Sequence, residues 1–362
     1  MQAIVTTPGQ AQSVRLADLD QPSGGEAGPD DVTIAIVEVG ICGTDHEIVA
    51  EGYGAAPAGR DRLVLGHENL GRVISAPAGS PLQPGRLVVA TVRRPCPQAC
   101  APCAAGQSDD CLTGDYTERG IKGRDGYMAE RATERAEFIV PLPESLDRVG
   151  VLMEPASIVE KGLLEAAAAQ AARLPWAPRR AVVCGAGAVG LLAALFLRLR
   201  SLDVTVIAKS PPDSLPARLL AEAGAQLWDA DEHPVAGLAA ELGNIDWIFE
   251  ATGSSQVAIA AITALGRNAV LCLSSVTAGH RTIQLDADTL NLDLVLGNKL
   301  IFGTVNANRR HFEAAAASLQ QAVTRWPGLL DAIVTRRIPA ARFQQAFTPG
   351  PDDIKTAITF AR

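Results

Sequence analysis

Four cysteines lie close together in the segment RRPCPQACAPCAAGQSDDC: Cys96, Cys100, Cys103 and Cys111. Thiols at such density form disulfides, bind a metal ion or act as reactive centres. Their spacings of three, two and seven intervening residues let one loop arrange four thiolates around a tetrahedral ion. A chance cluster of core cysteines is disfavoured, because the segment is polar and rich in turn residues. Since four thiolates complete a zinc shell, we predict a structural rather than a catalytic zinc site.

A second set of zinc-ligand residue types is spread over three segments. Cys42 follows the alternating run VTIAIVEVG, His67 and Glu68 stand in LVLGHENLG, and Glu154 stands in VLMEPAS, before the proline of a predicted helix. One thiolate, one imidazole and one or two carboxylates suit a zinc ion that keeps an open position for substrate. Singly, each has another explanation: Cys42 and His67 as buried core residues, Glu154 as a carboxylate favoured by the helix dipole.

The elements that would hold a cofactor follow in the second half of the chain. RRAVVCGAGAVGLLAALFLRLRSLDVTVIAKS predicts a strand, a glycine turn, a helix and a strand, with Gly185, Gly187 and Gly190 in a G-x-G-x-x-G motif. We expect these glycines, with Ala188 and Val189 between them, to bind a dinucleotide; a glycine turn without phosphate is the alternative. NIDWIFEATGS and NAVLCLSS predict further buried strands, and hence a doubly wound parallel sheet.

The end of the second strand of this unit bears on the choice of cofactor. NAD sites usually place an acidic residue there to bind the ribose hydroxyls. This chain instead has Ala208, Lys209 and Ser210. Lys209 and Ser210 would bind a 2′-phosphate, so we predict that NADP is preferred, with use of NAD as the alternative. Lys209 as a solvated surface lysine is the competing interpretation.

Composition narrows the class of protein. The 362 residues carry a net charge of −8, with 20% charged and 48% apolar residues. These values suit a soluble globular protein and argue against a nucleic-acid partner. The longest apolar run, VGLLAALFL, is too short to cross a membrane, and MQAIVTTPGQ lacks the features of a signal peptide. We therefore expect a cytoplasmic protein with no membrane partner, in a reducing compartment that favours metal binding over disulfides.

With its four-cysteine segment, its Cys/His-Glu/Glu set and its Rossmann motif in that order, the chain resembles the zinc-dependent medium-chain dehydrogenases. Within them it is most similar to the archaeal-type glucose dehydrogenases, through CGTDHEIVAEGYG, LVLGHENLG, VVATVRRPC, CLTGDYTERGIKGRDGYMAE, EPASIVEK and GTVNAN. The resemblance implies an α/β fold with a GroES-like β-rich catalytic domain at 1–178, including a structural-zinc lobe at about 93–115. A Rossmann domain at 179–308 and a return to the catalytic domain at 309–362 would follow, with the crossing at LPWAPRR.

The resemblance also implies roles for individual residues. Cys42, His67 and Glu154 match the surroundings of the catalytic zinc, and Glu68 matches a carboxylate that can enter its shell. Thr44 matches a hydroxyl that passes on a proton and also contacts the substrate. Glu118 and Asn306, together with Glu154, match positions that contact the sugar. Contacts to the nicotinamide and its ribose are matched by Thr252, Gly253, Ser274 and Val305. For Glu118 and Asn306 a solvated loop position is the alternative.

The implied activity is hydride transfer from a sugar hydroxyl to NAD(P)⁺, with D-glucose or a related aldose oxidised at the anomeric carbon to its lactone. Two zinc ions per subunit and a homodimer or homotetramer are implied with it. Three departures stand out: the first cysteine gap is one residue longer than usual in the family, and Val92 and Ile158 replace residues that are polar or acidic in some members. The last two leave a zinc-dependent alcohol or polyol dehydrogenase as the alternative. The complete zinc set disfavours a catalytically idle binding protein.

Overall fold

The computed structural model describes residues 1–25, 28–277, 279–350 and 352–360, and the chain forms two compact units. The first unit comprises Met1–Ser157, Asn306–Val323 and Leu330–Arg362, and the second comprises Ile158–Val305 and Thr324–Leu329. The chain thus builds most of the first unit, then the second, and finally returns to complete the first. Among the described residues, no helix combines the length and the apolar character that spanning a bilayer requires.

The described residues form the following strands and helices. The strands are β1 Gln2–Thr6, β2 Arg15–Asp18, β3 Asp31–Ile41, β4 Leu63–Val64, β5 Glu68–Ser75, β6 Leu87–Ala90, β7 Arg93–Arg94, β8 Thr117–Arg119, β9 Gly123–Arg124, β10 Arg131–Arg135, β11 Ile139–Pro141, β12 Arg180–Cys184, β13 Asp203–Ala208, β14 Gln226–Asp229, β15 Trp247–Glu250, β16 Val270–Leu273, β17 Leu300–Gly303, β18 Arg336–Pro339 and β19 Thr356–Thr359. The α-helices are α1 Gly43–Glu51, α2 Ala101–Ala104, α3 Met153–Ala171, α4 Ala188–Leu199, α5 Leu215–Glu222, α6 Leu238–Leu242, α7 Ser255–Ala264, α8 Ala287–Gly297, α9 Arg309–Arg325 and α10 Leu329–Ile333. Short 3₁₀ helices cover Ser108–Asp110, Ala136–Phe138, Glu144–Leu146, Gly150–Leu152, Val235–Gly237 and Ala340–Phe347.

The first unit is built around a seven-stranded sheet. Its strand order is β11-β6-β5-β3-β19-β18, and β10 also pairs with β3. Two three-stranded sheets, β2-β1-β4 and β7-β8-β9, complete the unit. The central strand β3, DVTIAIVEVGI, is rich in β-branched residues, and Ile34, Ile36 and Val39 from it lie in the buried core. This β-rich architecture confirms the expected GroES-like domain.

The second unit contains a six-stranded parallel sheet in the order β14-β13-β12-β15-β16-β17. This is the strand order of a Rossmann fold, so the predicted doubly wound sheet is confirmed. The four inner strands, β13, β12, β15 and β16, are short and mostly buried, as expected for strands covered on both faces. Cys184 and Cys272 are fully buried in them, in agreement with the core positions expected for both, and burial raises the pKa of Cys184 to about 12.

Helix α3 shows where the second unit begins. From residue 158 onward it is part of that unit, whereas the sequence motifs placed the expected domain boundary after residue 178. The reason is close packing of the helix on the sheet. A methyl group at Gly162 would lie 2.8 Å from Sγ of Cys272 and 2.9 Å from the ring of Phe249. Residues 158–178 therefore pack with the sheet that follows them in sequence.

Candidate functional site

Cys42 and His67 are brought together by the pairing of two antiparallel strands. Cys42 directly follows β3 and caps the N-terminus of α1, while His67 directly precedes β5. Strands β3 and β5 pair with Gly40 opposite Glu68, so the end of one meets the start of the other. As a result, Sγ of Cys42 lies 3.2 Å from Nε2 of His67. Two segments that are separate in sequence thus contribute to one site.

Two groups of potential metal ligands share His67. The ligand atoms of Cys42, Asp45 and His67 all lie within 4.8 Å of one another, and so do those of His67, Glu68 and Glu154. The four residues expected around the catalytic zinc therefore meet at one imidazole. Asp45 joins them although the sequence analysis gave it no role. Its Oδ2 accepts a hydrogen bond of 3.0 Å from the backbone N–H of Cys42, which fixes the start of α1.

The pKa values of the cluster show that burial opposes ionisation of its acidic groups. Removal from water raises the pKa of the Cys42 thiol and raises the pKa of Glu154 to about 7. For His67, burial lowers the pKa, but the facing Cys42 and Asp45 outweigh burial and hold the pKa well above its usual range. A cation bound among these groups would stabilise the thiolate and the carboxylates together.

Two buried polar atoms test whether zinc fits here. Nδ1 of His67 and Oδ1 of Asp45 have no hydrogen-bond partner and lie 3.8 Å apart. Buried polar atoms normally have partners, so the pair needs an explanation. In zinc sites a ligating histidine turns its second ring nitrogen toward a carboxylate, which orients the ring. His67 has this orientation, with Nε2 toward Cys42 and Nδ1 toward Asp45, and the sulfur, nitrogen and oxygen donors fit zinc.

Glu68 is held by a lysine from the C-terminal part of the chain. Nζ of Lys355 lies 2.7 Å from both carboxylate oxygens of Glu68 and donates a 3.0 Å hydrogen bond to the carbonyl of Ile41. Burial lowers the pKa of Lys355, but Glu68, Cys42 and Glu154 together outweigh burial and raise it. The ammonium group therefore compensates the negative charge of the Glu68 carboxylate beside the other potential ligands.

The four cysteines of the polar segment also come together. Their sulfur atoms, on Cys96, Cys100, Cys103 and Cys111, all lie within 4.8 Å of one another. The backbone N–H of Cys100 points at Sγ of Cys96 at 3.4 Å, and that of Cys96 points at Sγ of Cys103 at 3.5 Å. The Thr113 hydroxyl lowers the pKa of Cys111 to about 6, whereas burial raises that of Cys103 to about 12. Four converging sulfurs with N–H donors suit a tetrahedral zinc ion.

The longer first cysteine gap is accommodated at Ala99. This residue has φ 46°, in the left-handed region that residues other than glycine rarely adopt. Its N–H donates a 3.0 Å hydrogen bond to the carbonyl of Cys96, which closes a tight turn. The additional residue is thus absorbed by local backbone strain at one exposed position, and the four sulfur atoms still converge.

Glu118 and Asn306 lie in direct contact, although they are far apart in sequence. Nδ2 of Asn306 donates a 2.9 Å hydrogen bond to Oε1 of Glu118. Nε and one terminal nitrogen of Arg93 lie 3.0 Å from the same oxygen. Among the described residues, Oε2 of Glu118 and the hydroxyl of Thr44 have no hydrogen-bond partner. These groups are therefore available to a polyhydroxylated ligand.

The glycine motif of the second unit leaves space where a phosphate would bind. Gly185 directly follows strand β12 and has φ 106°, and Gly187 caps the N-terminus of α4, whose first turn contains Ala188 and Val189. A methyl group at Gly187 would meet nothing within 4 Å. One at Gly190 would lie 2.0 Å from the carbonyl oxygen of Gly185. The open space, together with a helix N-terminus that has no side-chain cap, fits a pyrophosphate group.

The other expected cofactor residues follow the carboxyl ends of the parallel strands, where open α/β sheets bind ligands. They are Ser210 after β13, Thr252 and Gly253 after β15, Ser274 after β16 and Val305 after β17. The Thr252 hydroxyl and backbone N–H donate to the buried carboxylate of Glu250, and the Ser274 hydroxyl donates to its carbonyl. Lys209 forms a 2.9 Å ion pair with Asp231, and both side chains are largely exposed.

Four residues of the site received no role in the sequence analysis: Asp45, Arg93, Glu250 and Lys355. Asp45 could have been found, because an acidic residue three positions after a helix cap is a recognisable capping signal. Glu250 is a buried carboxylate at the end of a strand, in FEATG. Because carboxylates are seldom buried without a partner, its position in an apolar strand could have indicated a role. Arg93 and Lys355 depend on strand pairings that link distant segments, and no local pattern indicates them.

Comparison with known proteins shows the family of the chain. Residues 28–144 match the model of the alcohol dehydrogenase GroES-like domain, and residues 147–360, more than half of the chain, match that of the glucose dehydrogenase C-terminus. Glucose 1-dehydrogenase from Methanocella arvoryzae is 44% identical over 359 residues, with 99% of each chain covered. Glucose 1-dehydrogenase from Thermoproteus tenax is 38% identical over 359 residues, also with 99% of each chain covered.

Among solved structures, glucose dehydrogenase from Haloferax mediterranei in complex with NADP, Zn and gluconolactone is similar over the full length of both chains. The TM-score is 0.90, the sequence identity is 34%, and 100% of each chain is covered. The relationship thus extends over both units rather than over one shared domain. The chain belongs to the archaeal-type glucose dehydrogenase family of the zinc-dependent medium-chain dehydrogenases, as its sequence motifs predicted.

Proposed function

We propose that this protein is a zinc-dependent glucose 1-dehydrogenase, which oxidises D-glucose or a related aldose at the anomeric carbon to the lactone and reduces NADP⁺. The observation that carries the proposal is the meeting of Cys42, His67, Glu68 and Glu154 around one imidazole. Full-length similarity to glucose 1-dehydrogenases supports the choice of substrate. NADP is the preferred cofactor, with NAD accepted less well.

We assign the catalytic zinc to Cys42, His67 and Glu154, with Glu68 able to join them. Zinc supplies a Lewis acid, which lowers the pKa of a substrate hydroxyl and so favours loss of its proton near neutral pH. Asp45 keeps the His67 ring in the orientation of a ligand, through the 3.8 Å approach of its Oδ1 to Nδ1. The Thr44 hydroxyl, which has no hydrogen-bond partner among the described residues, would relay the proton that the sugar loses, accepting it while it releases its own hydroxyl proton toward solvent.

Glu118 and Asn306 would recognise the sugar ring. Three donor atoms already converge on Oε1 of Glu118, so Oε2 is left to accept a hydrogen bond from a sugar hydroxyl. Asn306 uses one amide hydrogen for Glu118 and its Oδ1 for the N–H of Ala307, which leaves its second amide hydrogen for the substrate. Simple alkanols would leave these buried polar groups unsatisfied, so they should be poor substrates.

A second zinc ion per chain is proposed for the four cysteines, as a structural metal that holds its loop. NADP⁺ is proposed to bind at the carboxyl ends of the strands of the second unit and supplies the hydride acceptor. Its pyrophosphate would lie at Gly185, Gly187 and Gly190, and its 2′-phosphate at Lys209 and Ser210. Reduced thiols in a metal site also suit the cytoplasm, where we place the protein.

We further propose that the chain forms a homo-oligomer through the edge of its Rossmann sheet. Strand β17 lies at that edge, and helix α8, which precedes it, exposes Leu292, Val295 and Leu296 by 57–63%. An open strand edge beside exposed apolar side chains favours pairing with a second copy of the chain. Leu296→Asp should then reduce the mass measured by sedimentation, whereas Leu112→Asp, at another exposed leucine, should not. An unchanged assembly in Leu296→Asp would remove this surface from the interface.

The catalytic zinc site is tested by removing one ligand at a time. Cys42→Ala and His67→Ala should each lower turnover at least about a thousandfold, because the Lewis acid is lost. They should also lower the zinc content from two ions per chain to one, while the far-ultraviolet circular dichroism and NADP⁺ binding stay as in the wild type. His46→Ala is the matched control, since His46 is a neighbouring histidine with no assigned role. Activity retained by His67→Ala would refute the assignment.

A further inference from the structure

We propose that Arg93 and Asp109 are positioning residues for the sugar, and that they tie the sugar-contacting pair Glu118 and Asn306 to the four-cysteine segment. The inference rests on the proposed function, because it takes Glu118 and Asn306 as the sugar contacts. It gives the cysteine segment a second task besides holding a loop. That segment supplies the fixed point from which the sugar-binding side chains are oriented.

The first link runs through Arg93. Strands β7 and β8 pair with Arg93 directly opposite Glu118, so the two side chains stand on the same face of the ribbon. The guanidinium group contacts Oε1 of Glu118 through two nitrogens at 3.0 Å, and its third nitrogen donates a 2.8 Å hydrogen bond to the carbonyl of Asp109. Arg93 is 6% exposed and also lies over the Tyr116 ring at 3.7 Å. The planar guanidinium group of Arg93 thus connects the Glu118 carboxylate to the cysteine segment.

The second link runs through Asn308. Asp109 lies between Cys103 and Cys111, and its carboxylate accepts hydrogen bonds from Nδ2 of Asn308 at 3.0 and 3.3 Å. Asn308 in turn accepts at its Oδ1 from the N–H of Arg310, in the first turn of α9, and so fixes the loop that begins at residue 306.

Asn306 itself has φ 58°, a conformation that asparagine tolerates better than most residues, and it donates to Glu118. The contacts therefore close a ring, in which Asp109 holds Arg93 with its carbonyl and Asn308 with its carboxylate, and both branches end on Oε1 of Glu118. This arrangement fixes the orientation of the Glu118 carboxylate. Because all donors engage one oxygen, the second oxygen of Glu118 has a fixed direction and stays open to the substrate.

Asp109 is linked to the sugar contacts by the hydrogen bonds of its carbonyl to Arg93 and of its carboxylate to Asn308. We therefore expect changes at Asp109 to act on substrate positioning and not on the chemical step.

The test compares Asp109→Ala and Arg93→Lys with the exposed neighbour Asp110→Ala in the zinc-loaded full-length enzyme. Asp109→Ala and Arg93→Lys should raise the KM for D-glucose about tenfold and lower kcat by less than about threefold. Titration calorimetry should show the same weakening for D-gluconolactone, in the presence of NADP⁺. Zinc content should stay at the wild-type value in all three variants, and Asp110→Ala should bind the lactone like the wild type.

A double-mutant cycle tests most directly whether Arg93 acts through the Glu118 carboxylate. Glu118→Gln should itself weaken lactone binding, and adding Arg93→Lys to it should cause little further loss, because both act through the same carboxylate. If Glu118→Gln weakens binding but Asp109→Ala and Arg93→Lys leave it unchanged, the positioning roles are refuted while the sugar site stands. If Glu118→Gln has no effect, the sugar site and the positioning roles both fail. Should the Arg93→Lys chain not fold, Arg93→Gln takes its place, because Asp109→Ala removes only the carboxylate that holds Asn308 and leaves the carbonyl that accepts from Arg93.

Discussion

At the scale of the single residue, the site shows how partners decide what a common side chain can do. Glu68, Glu118 and Glu134 are all buried carboxylates of the first unit. Glu68 pairs with Lys355 beside the other potential zinc ligands, while Glu118 accepts hydrogen bonds at only one of its two oxygens. Glu134 is enclosed by arginines. The same functional group is thus a candidate metal ligand in Glu68, a proposed sugar acceptor in Glu118 and a structural anion in Glu134.

The first prediction concerns the strained residue of the cysteine segment. Ala99→Gly should raise the free energy of unfolding by up to about 1 kcal/mol, because glycine adopts φ 46° without the steric cost that alanine bears. Urea unfolding of the zinc-loaded protein measures the change. Ala104→Gly, at a helical alanine of α2, is the control and should lower stability by about 0.5–1 kcal/mol. A less stable Ala99→Gly variant would mean that the turn is not strained.

The ion pair between Lys209 and Asp231 bears on the preference for NADP⁺ over NAD⁺. A 2′-phosphate must compete with the Asp231 carboxylate for the lysine, which lies 2.9 Å away. Exposed pairs of this kind are weak, so Asp231→Asn should lower the KM for NADP⁺ by no more than about fivefold. The KM for NAD⁺ should not change, and Asp213→Asn, at a nearby aspartate outside the pair, serves as the control. Equal changes for both cofactors would place the 2′-phosphate away from Lys209.

Residue roles were predictable where a motif carries them. The donor types of Cys42, His67 and Glu154 were recognisable because zinc chemistry restricts its ligands to few residue types. The partners of those residues were not, since Lys355 reaches Glu68 through the pairing of β19 with β3. Arg93 is a similar case, because its role depends on the register of β7 against β8.

At the scale of the element, the turn between β12 and α4 supports a paired prediction. Gly187→Ala should fold like the wild type, because its methyl group meets nothing within 4 Å, but it should raise the KM for NADP⁺ by filling the phosphate space. Gly190→Ala should instead lower the melting temperature, since its methyl group would lie 2.0 Å from a carbonyl oxygen of the preceding turn. Thermal unfolding and initial rates on both variants separate these effects. Similar behaviour of the two would argue against a phosphate at Gly187.

The β7–β8 ribbon places an ionic cluster on the face opposite Arg93, because successive strand residues point to opposite sides. There the guanidinium groups of Arg94 and Arg119 contact the buried carboxylate of Glu134. Burial opposes ionisation of Glu134, but the two arginines outweigh burial and hold its pKa well below its usual range. A pKa lowered on folding contributes stability above the unfolded pKa of about 4.3, and this contribution is lost as pH falls through the folded value.

Glu134→Gln should therefore lower the free energy of unfolding by about 3–5 kcal/mol at neutral pH, because it leaves two buried arginines without their anion. Below about pH 4 the difference from the wild type should shrink. Denaturant titrations between pH 7 and pH 3 measure both effects. The control is Glu137→Gln, at an exposed carboxylate paired with Arg135, which should change stability by less than about 1 kcal/mol. A constant difference across this pH range would contradict the cluster's role.

Elements were predicted with unequal success for physical reasons. The strand, glycine turn and helix around residue 185 follow from a local pattern of apolar residues and glycines, and the structure has β12 and α4 there. A doubly wound parallel sheet was expected from the same motif, and the structure has six parallel strands there. The closing strands β18 and β19 were not predicted, because each is only four residues long and gains its stability from pairing with a distant strand.

At the scale of the whole molecule, the order of motifs along the chain predicted a β-rich unit, a Rossmann unit and a C-terminal return. The two compact units follow that order, and the family assignment made from the motifs is confirmed over the full length. The bounds of the units were harder to predict, because they depend on which sheet helix α3 packs against. Packing of this kind is decided by three-dimensional fit and leaves no local signature in the sequence.

The most direct test of the proposed activity is the initial rate of NADPH formation by the purified, zinc-loaded protein with a panel of substrates. The panel should contain D-glucose and other aldoses, polyols and short alkanols, each run with NADP⁺ and with NAD⁺. The proposed function predicts strong turnover of D-glucose or a related aldose with NADP⁺, and poor turnover of the alkanols. Absence of turnover with every aldose, together with turnover of polyols or simple alcohols, would contradict it.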